Sequence, residues 1–131
     1  MAKKLALGSL AVFVLWEVLD FVIHRVILKG AYATMSNLMR PEAEIKIGLL
    51  LVVTLISAVV FTYVYAALVN PKSMANAVKY GLLLGIGMGV GMGYATYAVQ
   101  PIPYSVALTW FLGTIVETTL AGVLLGMLVK D

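Results

Sequence analysis

One apolar stretch near the start of the chain decides the fold: residues 5–28 have the sequence LALGSLAVFVLWEVLDFVIHRVIL. It is long enough to cross a bilayer, because about 20 apolar residues span the hydrocarbon core. Besides Arg25, it nevertheless contains three ionisable residues at regular spacing, Glu17, Asp20 and His24. Each costs about 3 kcal/mol at the membrane centre on insertion scales. Their spacing of three and four residues places them on one helical face, so we expect that face to meet a partner, a cavity or water.

The composition of all 131 residues also indicates a membrane protein. Hydrophobic residues make up 63% of the chain and charged residues 11%, whereas about 25% of a soluble domain is charged. The absence of Cys excludes disulfides, Fe–S clusters and thiolate zinc sites. The net charge of +3 comes from loop and terminal Lys and Arg, which set orientation in membrane proteins, so we expect no nucleic-acid partner. The sequence predicts an all-α integral membrane protein surrounded by lipid.

Four apolar runs define the predicted helices, and none alternates in polarity as the strands of a β-barrel would. We predict a single transmembrane domain, residues 1–131, folded as a four-transmembrane-helix bundle. Its spans are residues 5–28, 47–69, 75–99 and 104–129. Residues 29–46 form a surface loop or a short interfacial helix.

Basic residues predict the orientation. An even number of spans puts both termini and the loop between the second and third spans on one side. That side carries Lys3, Lys4, Lys72, Lys79 and Lys130. The other side carries Lys29, Arg40 and Lys46, offset by Glu42 and Glu44. The more basic side faces the cytoplasm, so we predict that both termini are inside, in the cytoplasmic (inner) membrane of a bacterium or archaeon.

Glycines recur every four residues in the third span, at Gly81, Gly85, Gly89 and Gly93. Small residues at this spacing let helix backbones approach closely, where van der Waals contact stabilises the pair. The pattern predicts tight glycine-mediated packing of the third helix. A glycine-rich nucleotide-binding loop is excluded, because that motif needs a preceding strand in a soluble βαβ unit.

Another acid, Glu117, lies near the middle of the fourth span, as Glu17 does in the first. We expect both near the membrane midplane, meeting within one chain or across a dimer. Repulsion and desolvation would then keep a proton on at least one of them. Along the first helix, Glu17 and Asp20 are about 4.5 Å apart, and Asp20 and His24 about 6 Å. This ladder fits a proton relay from the surface to the midplane. It fits equally a metal ion bound by Asp20 and His24, with other ligands from elsewhere.

The same residues have a purely structural explanation. Glu17 or Asp20 could bond Tyr, Thr or Trp side chains in a satisfied polar network. His24 and Arg25 could lie close enough to the interface to reach water. For two acids at midplane depth this explanation is the weaker one, because intramembrane carboxylates are costly and usually functional.

The layout resembles that of the small multidrug resistance transporters, which have four spans and a Glu in the first. Here Glu17 precedes Arg25 with similar spacing. Trp16 stands where that family has a small residue, Asp20 and His24 are additional, and the first loop is longer. The resemblance is therefore one of architecture, and it implies a transporter that works as an oligomer.

Two functions remain open from the sequence. The first is a small oligomeric transporter or channel, with a carboxylate and His site that handles protons or cations. The second is an accessory subunit of a larger membrane complex, which uses the polar stripe and the glycine faces to dock partner subunits. No nucleophile motif, paired-His motif or cofactor signature is present. We therefore expect no enzyme activity and no cofactor other than a possible bound metal ion.

Overall fold

A computed structural model describes residues 2–130, apart from the side chain of Glu42. This part of the chain is all-helical and contains no strand, as the sequence predicts. Four helices are long and apolar enough to cross a membrane, which is typical of a membrane protein. They are Ala2–Ile27, Ile47–Leu68, Met74–Val99 and Tyr104–Leu128.

Two of these four helices change winding along their length. In the first, α1 (Ala2–Asp20) continues into a first π-helical segment, Phe21–Ile27. In the third, α4 (Met74–Gly89) continues through a second π-helical segment, Val90–Ala95, into α5 (Thr96–Val99). The second and fourth are uninterrupted. These are α3 (Ile47–Leu68) and α6 (Tyr104–Leu128). A short α2 (Lys29–Ala33) and a 3₁₀ turn (Glu42–Glu44) lie between α1 and α3.

The starts of α4 and α6 coincide with proline and capping residues. Pro71 lies just before α4, and the Ser73 side chain caps that helix by accepting a hydrogen bond of 3.1 Å from the Asn76 N–H. α6 begins directly after Pro103, which has an extended backbone. Proline cannot continue a preceding helix but suits the first turn of the next, so these turns follow from local sequence.

The helices α1 and α6 form the centre of the bundle. α6 packs along α4 and also against α1, and α1 packs against α3 on its other side. The main apolar core lies near the chain termini and includes Val12, Trp16, Tyr65 and Leu125. Trp16 extends across this core, and its ring meets that of Phe61 edge-on at 5.2 Å between centroids.

A second apolar cluster lies at the opposite end of the bundle. Leu28 and Met35, at either end of α2, are 3% and 4% exposed and pack with Ile102 and Val106. The connection between α1 and α3 therefore folds back over the end of α6. This position places α2 directly beside the polar residues of α1.

The first half of α3 has no helix packed around it within the described residues. Leu50, Leu51, Val52 and Val53 are all more than two-fifths exposed, and four successive residues cover every face of a helix. Packing begins at Ala58, which is fully buried. An apolar surface of this kind suits contact with lipid tails.

Candidate functional site

Three of the four ionisable residues singled out from the sequence line one cavity of about 60 Å³ between α1 and α6. This exceeds the roughly 10–15 Å³ that a cavity needs to hold one water molecule. Its polar lining consists of Asp20, His24, Trp110, Thr114 and Glu117. Ile23, Met92 and Gly113 complete the wall. Glu17 does not line the cavity but lies within electrostatic range of Glu117.

Of the two acids on α1, Asp20 interacts more strongly with Glu117 than Glu17 does. The carboxyl groups of Asp20 and Glu117 are joined by a side-chain hydrogen bond. An ionised carboxylate only accepts hydrogen bonds, so such a bond requires a proton on one of the two groups.

His24 connects this pair to the surface segment. Its Nε2 lies 4.0 Å from Oδ1 of Asp20. Its Nδ1 lies 2.5 Å from the hydroxyl oxygen of Tyr32 in α2. The same hydroxyl oxygen accepts a hydrogen bond of 2.7 Å from Nε1–H of Trp110 in α6. The side chains of the first π-helical segment, α2 and α6 are thus joined through one phenol group.

The environment of Tyr32 favours the protonated phenol. Burial raises the pKa of its hydroxyl above the ordinary value of 10.0, and the negative charge of Asp20 raises it further. The hydrogen bond from Trp110 acts in the opposite direction and lowers this pKa. Because burial is the largest of these effects, Tyr32 remains able to donate a hydrogen bond throughout the neutral range.

A backbone contact fixes the relative position of α1 and α6 beside the cavity. Nε1–H of Trp16 donates a hydrogen bond of 2.8 Å to the backbone carbonyl oxygen of Glu117. On α6, the Thr114 hydroxyl donates to the carbonyl oxygen of Trp110 at 2.8 Å. These bonds hold the backbone that carries Glu117 and Trp110.

Both π-helical segments line the cavity. Ile23 and His24 belong to the first, and Met92 belongs to the second. π-helical turns are rare and occur frequently at functional sites. Their position here, on two different spans around one cavity, independently marks this region as a candidate site.

The sequence did not reveal the roles of Trp16, Tyr32 and Trp110. Sequence patterns place Tyr32 only in the surface loop or interfacial helix of residues 29–46, because nothing local indicates that α2 folds back over α6. A usable signal was available: a phenol eight residues after an intramembrane His, and an indole N–H that needs an acceptor when buried.

The described residues contain no group of three or more His, Cys, Asp or Glu side chains arranged to hold a metal ion. A metal bound by Asp20 and His24 would need its other ligands from another source, such as backbone carbonyls, hydroxyl groups, water or a second chain. Nδ1 of His24 is already engaged by Tyr32. Metal binding thus remains a prediction from the sequence.

Comparisons with known proteins assign no family to this arrangement. No protein-family model, no curated protein and no solved structure matches the chain. The functional conclusion therefore depends on the residues of the cavity themselves.

Proposed function

We propose that this chain is a small oligomeric membrane protein that handles protons, as a transporter or a channel, at the cavity between α1 and α6. Other small cations form the wider class of candidate substrates. The observation that carries the proposal is a series of protonatable groups: Glu117, Asp20 and His24 line a single small cavity, and Tyr32 bonds His24 beside it.

The energetic cost of these groups supports a functional role. Charged side chains within a membrane each cost several kcal/mol unless they meet water or one another. A bundle selected for stability alone would have apolar residues here, because replacing buried charge pairs by apolar residues is often neutral or stabilising. A site that must bind and release a proton needs groups of this kind.

Their depth supports the same conclusion. Glu117 is half-way along α6, about 20 Å from the start of that helix at 1.5 Å per residue. Tyr32 lies outside the membrane-length helices, in the surface segment. The series therefore extends from the middle of the predicted membrane to one of its surfaces. The carboxyl pair, the imidazole and the phenol are all groups that exchange protons.

Neutralising the carboxyl pair tests this function. In liposomes that contain a pH-sensitive dye, Glu117→Gln and Asp20→Asn are each expected to lower proton flux at least about tenfold, because an amide neither binds nor releases the transferred proton. Glu44→Gln is the matched control, since this exposed Glu lies in the connector. Unchanged flux in both cavity variants would contradict the proposal, as would wild-type protein with no flux above empty liposomes.

Side-chain exposure at the site supports an oligomer. The side chains of Asp20 and His24 are 36% and 41% exposed, and at this depth that surface would otherwise face lipid. We propose that a second copy of the chain, or water held between two copies, covers it. Native mass spectrometry of gently extracted protein is expected to give a homo-oligomer. A monomer would contradict this assignment, and partner subunits at fixed stoichiometry would favour the accessory-subunit function instead.

We also propose glycine-mediated packing between the third and fourth spans. In support, a Cβ added at Gly85 would lie 2.8 Å from Cα of Ile115, closer than such atoms approach. A Cβ added at Gly87 would meet nothing within 4 Å. These two glycines lie on one helix, two residues apart, and form a matched pair.

Alanine at these two positions tests the packing. Gly85→Ala is expected to lower the free energy of unfolding in mixed detergent by about 1–3 kcal/mol, the usual range for overpacking. Gly87→Ala is expected to leave it unchanged or to raise it slightly, because alanine favours helix. Equal effects of the two substitutions would argue against close backbone contact at Gly85.

The orientation proposed from the basic residues places both termini in the cytoplasm of a bacterium or archaeon. Its support is the position of five lysines at one end of the bundle, where Nζ of Lys4 donates to the carbonyl oxygen of Lys130. The chain has no Cys, so single cysteines can be placed freely. In intact bacterial cells, a membrane-impermeant maleimide is expected to label Asn37→Cys but not Ala2→Cys. The reverse pattern would invert the assignment.

A further inference from the structure

We infer that Tyr32, anchored by Trp110, is a positioning residue that holds the His24 imidazole in a single tautomer, with its hydrogen on Nε2 and directed towards Asp20. This inference rests on the proposed proton site and specifies which group donates and which accepts at each hydrogen bond leading to it. The groups then form one ordered series from the surface segment to the carboxyl pair, hydrogen-bonded from Trp110 to His24 and with a gap of 4.0 Å between His24 Nε2 and Asp20 Oδ1.

The donor-to-acceptor order of these hydrogen bonds begins at Trp110, because an indole N–H can only donate. The Tyr32 oxygen therefore accepts the bond of 2.7 Å from Trp110 Nε1. The phenol has one hydrogen of its own to donate. Among the described residues, its other hydrogen-bond partner is Nδ1 of His24, at 2.5 Å. We assign the Tyr32 hydroxyl as the donor to Nδ1, because with the reverse direction its hydrogen would have no acceptor among the described residues. In this assignment Nδ1 carries no hydrogen.

The remaining hydrogen of a neutral imidazole must then be on Nε2. The bond made by one ring nitrogen sets the state of the other, as it does for histidines that bind metals. Nε2 lies on the side of Asp20, 4.0 Å from Oδ1. The imidazole consequently presents its N–H to the carboxyl pair, and its acceptor nitrogen to the phenol.

Tyr32 is held firmly enough to act in this way. Its backbone N–H bonds the carbonyl oxygen of Leu28 at 2.8 Å, and its own carbonyl oxygen accepts from the N–H of Met35 at 3.0 Å. Both neighbours are buried. The rings of Tyr32 and His24 lie nearly parallel, 11° apart, with centroids 5.9 Å apart. The orientation of the phenol is therefore fixed by the backbone, by packing and by its bond to Trp110.

The experiment uses the fact that the chain has one histidine. Full-length protein with ¹⁵N-labelled histidine is placed in lipid bilayers and studied by solid-state NMR at neutral pH. The expected spectrum has one protonated nitrogen, Nε2, and one unprotonated nitrogen, Nδ1, shifted upfield by the hydrogen bond that it accepts. A protonated Nδ1, whether alone or together with a protonated Nε2, would overturn the inference.

Substitutions at the phenol provide the second part of the test. Tyr32→Phe keeps the ring and its packing but removes the hydroxyl group, so the Nδ1 resonance is expected to move downfield or a second tautomer to appear. Trp110→Phe is expected to act in the same direction and serves if Tyr32→Phe fails to fold. Tyr97→Phe, a substitution at a half-exposed tyrosine, is the matched control. A Nδ1 resonance that is unchanged in both cavity variants would overturn the inference.

The NMR measurement does not depend on transport, so failure of this inference and failure of the proposed function can be told apart. Absence of flux in wild-type protein would refute proton handling, while the tautomer of His24 would still be measured. In the flux assay, Tyr32→Phe is expected to slow proton movement several-fold without abolishing it, because the carboxyl pair is intact. If Tyr32→Phe shifted the Nδ1 resonance but left the proton flux unchanged, the positioning role of Tyr32 would be refuted.

Discussion

Polar groups inside a membrane have to satisfy one another, and the arrangement of this bundle depends on that constraint. The indole of Trp16 bonds the backbone of Glu117, the Glu117 side chain bonds Asp20, and Asp20 faces His24. All of these contacts join α1 to α6 or lie beside their interface. Because lipid offers no hydrogen bonds, separating these two helices would leave several buried polar groups without partners.

The contacts extend beyond the two central helices. Tyr32 brings the short α2 onto the same interface by bonding His24 and accepting from Trp110. Apolar contacts of Leu28 and Met35 hold this segment in place. A connector that sequence patterns describe only as a loop or an interfacial helix thereby contacts two residues that line the cavity, His24 and Trp110. This is why the proposed path for protons ends in a surface segment.

The number and type of the helices could be predicted from the sequence, because span length and apolar character are local properties. Asp20 and His24 share a helical face by spacing alone, and Glu117 stands out as an acid in an apolar run. What could not be predicted depends on tertiary contact. The pairing of Glu117 with Asp20 depends on how α1 and α6 are aligned. The place of Tyr32 depends on the path of the connector, and the π-helical segments have no simple sequence signal.

The two contacts at the ends of the α1–α6 interface have a consequence for what the cavity can hold. At one end, Trp16 donates a hydrogen bond to the backbone of Glu117. At the other end, Tyr32 bonds both His24 and Trp110. The space between α1 and α6 can therefore widen only if one of these hydrogen bonds breaks. Its volume of about 60 Å³ is far below the roughly 300–1,000 Å³ of sites for drug-sized ligands. The cavity in this arrangement is therefore much smaller than a site for a drug-sized organic cation, and a ligand of that size would need α1 and α6 to move apart.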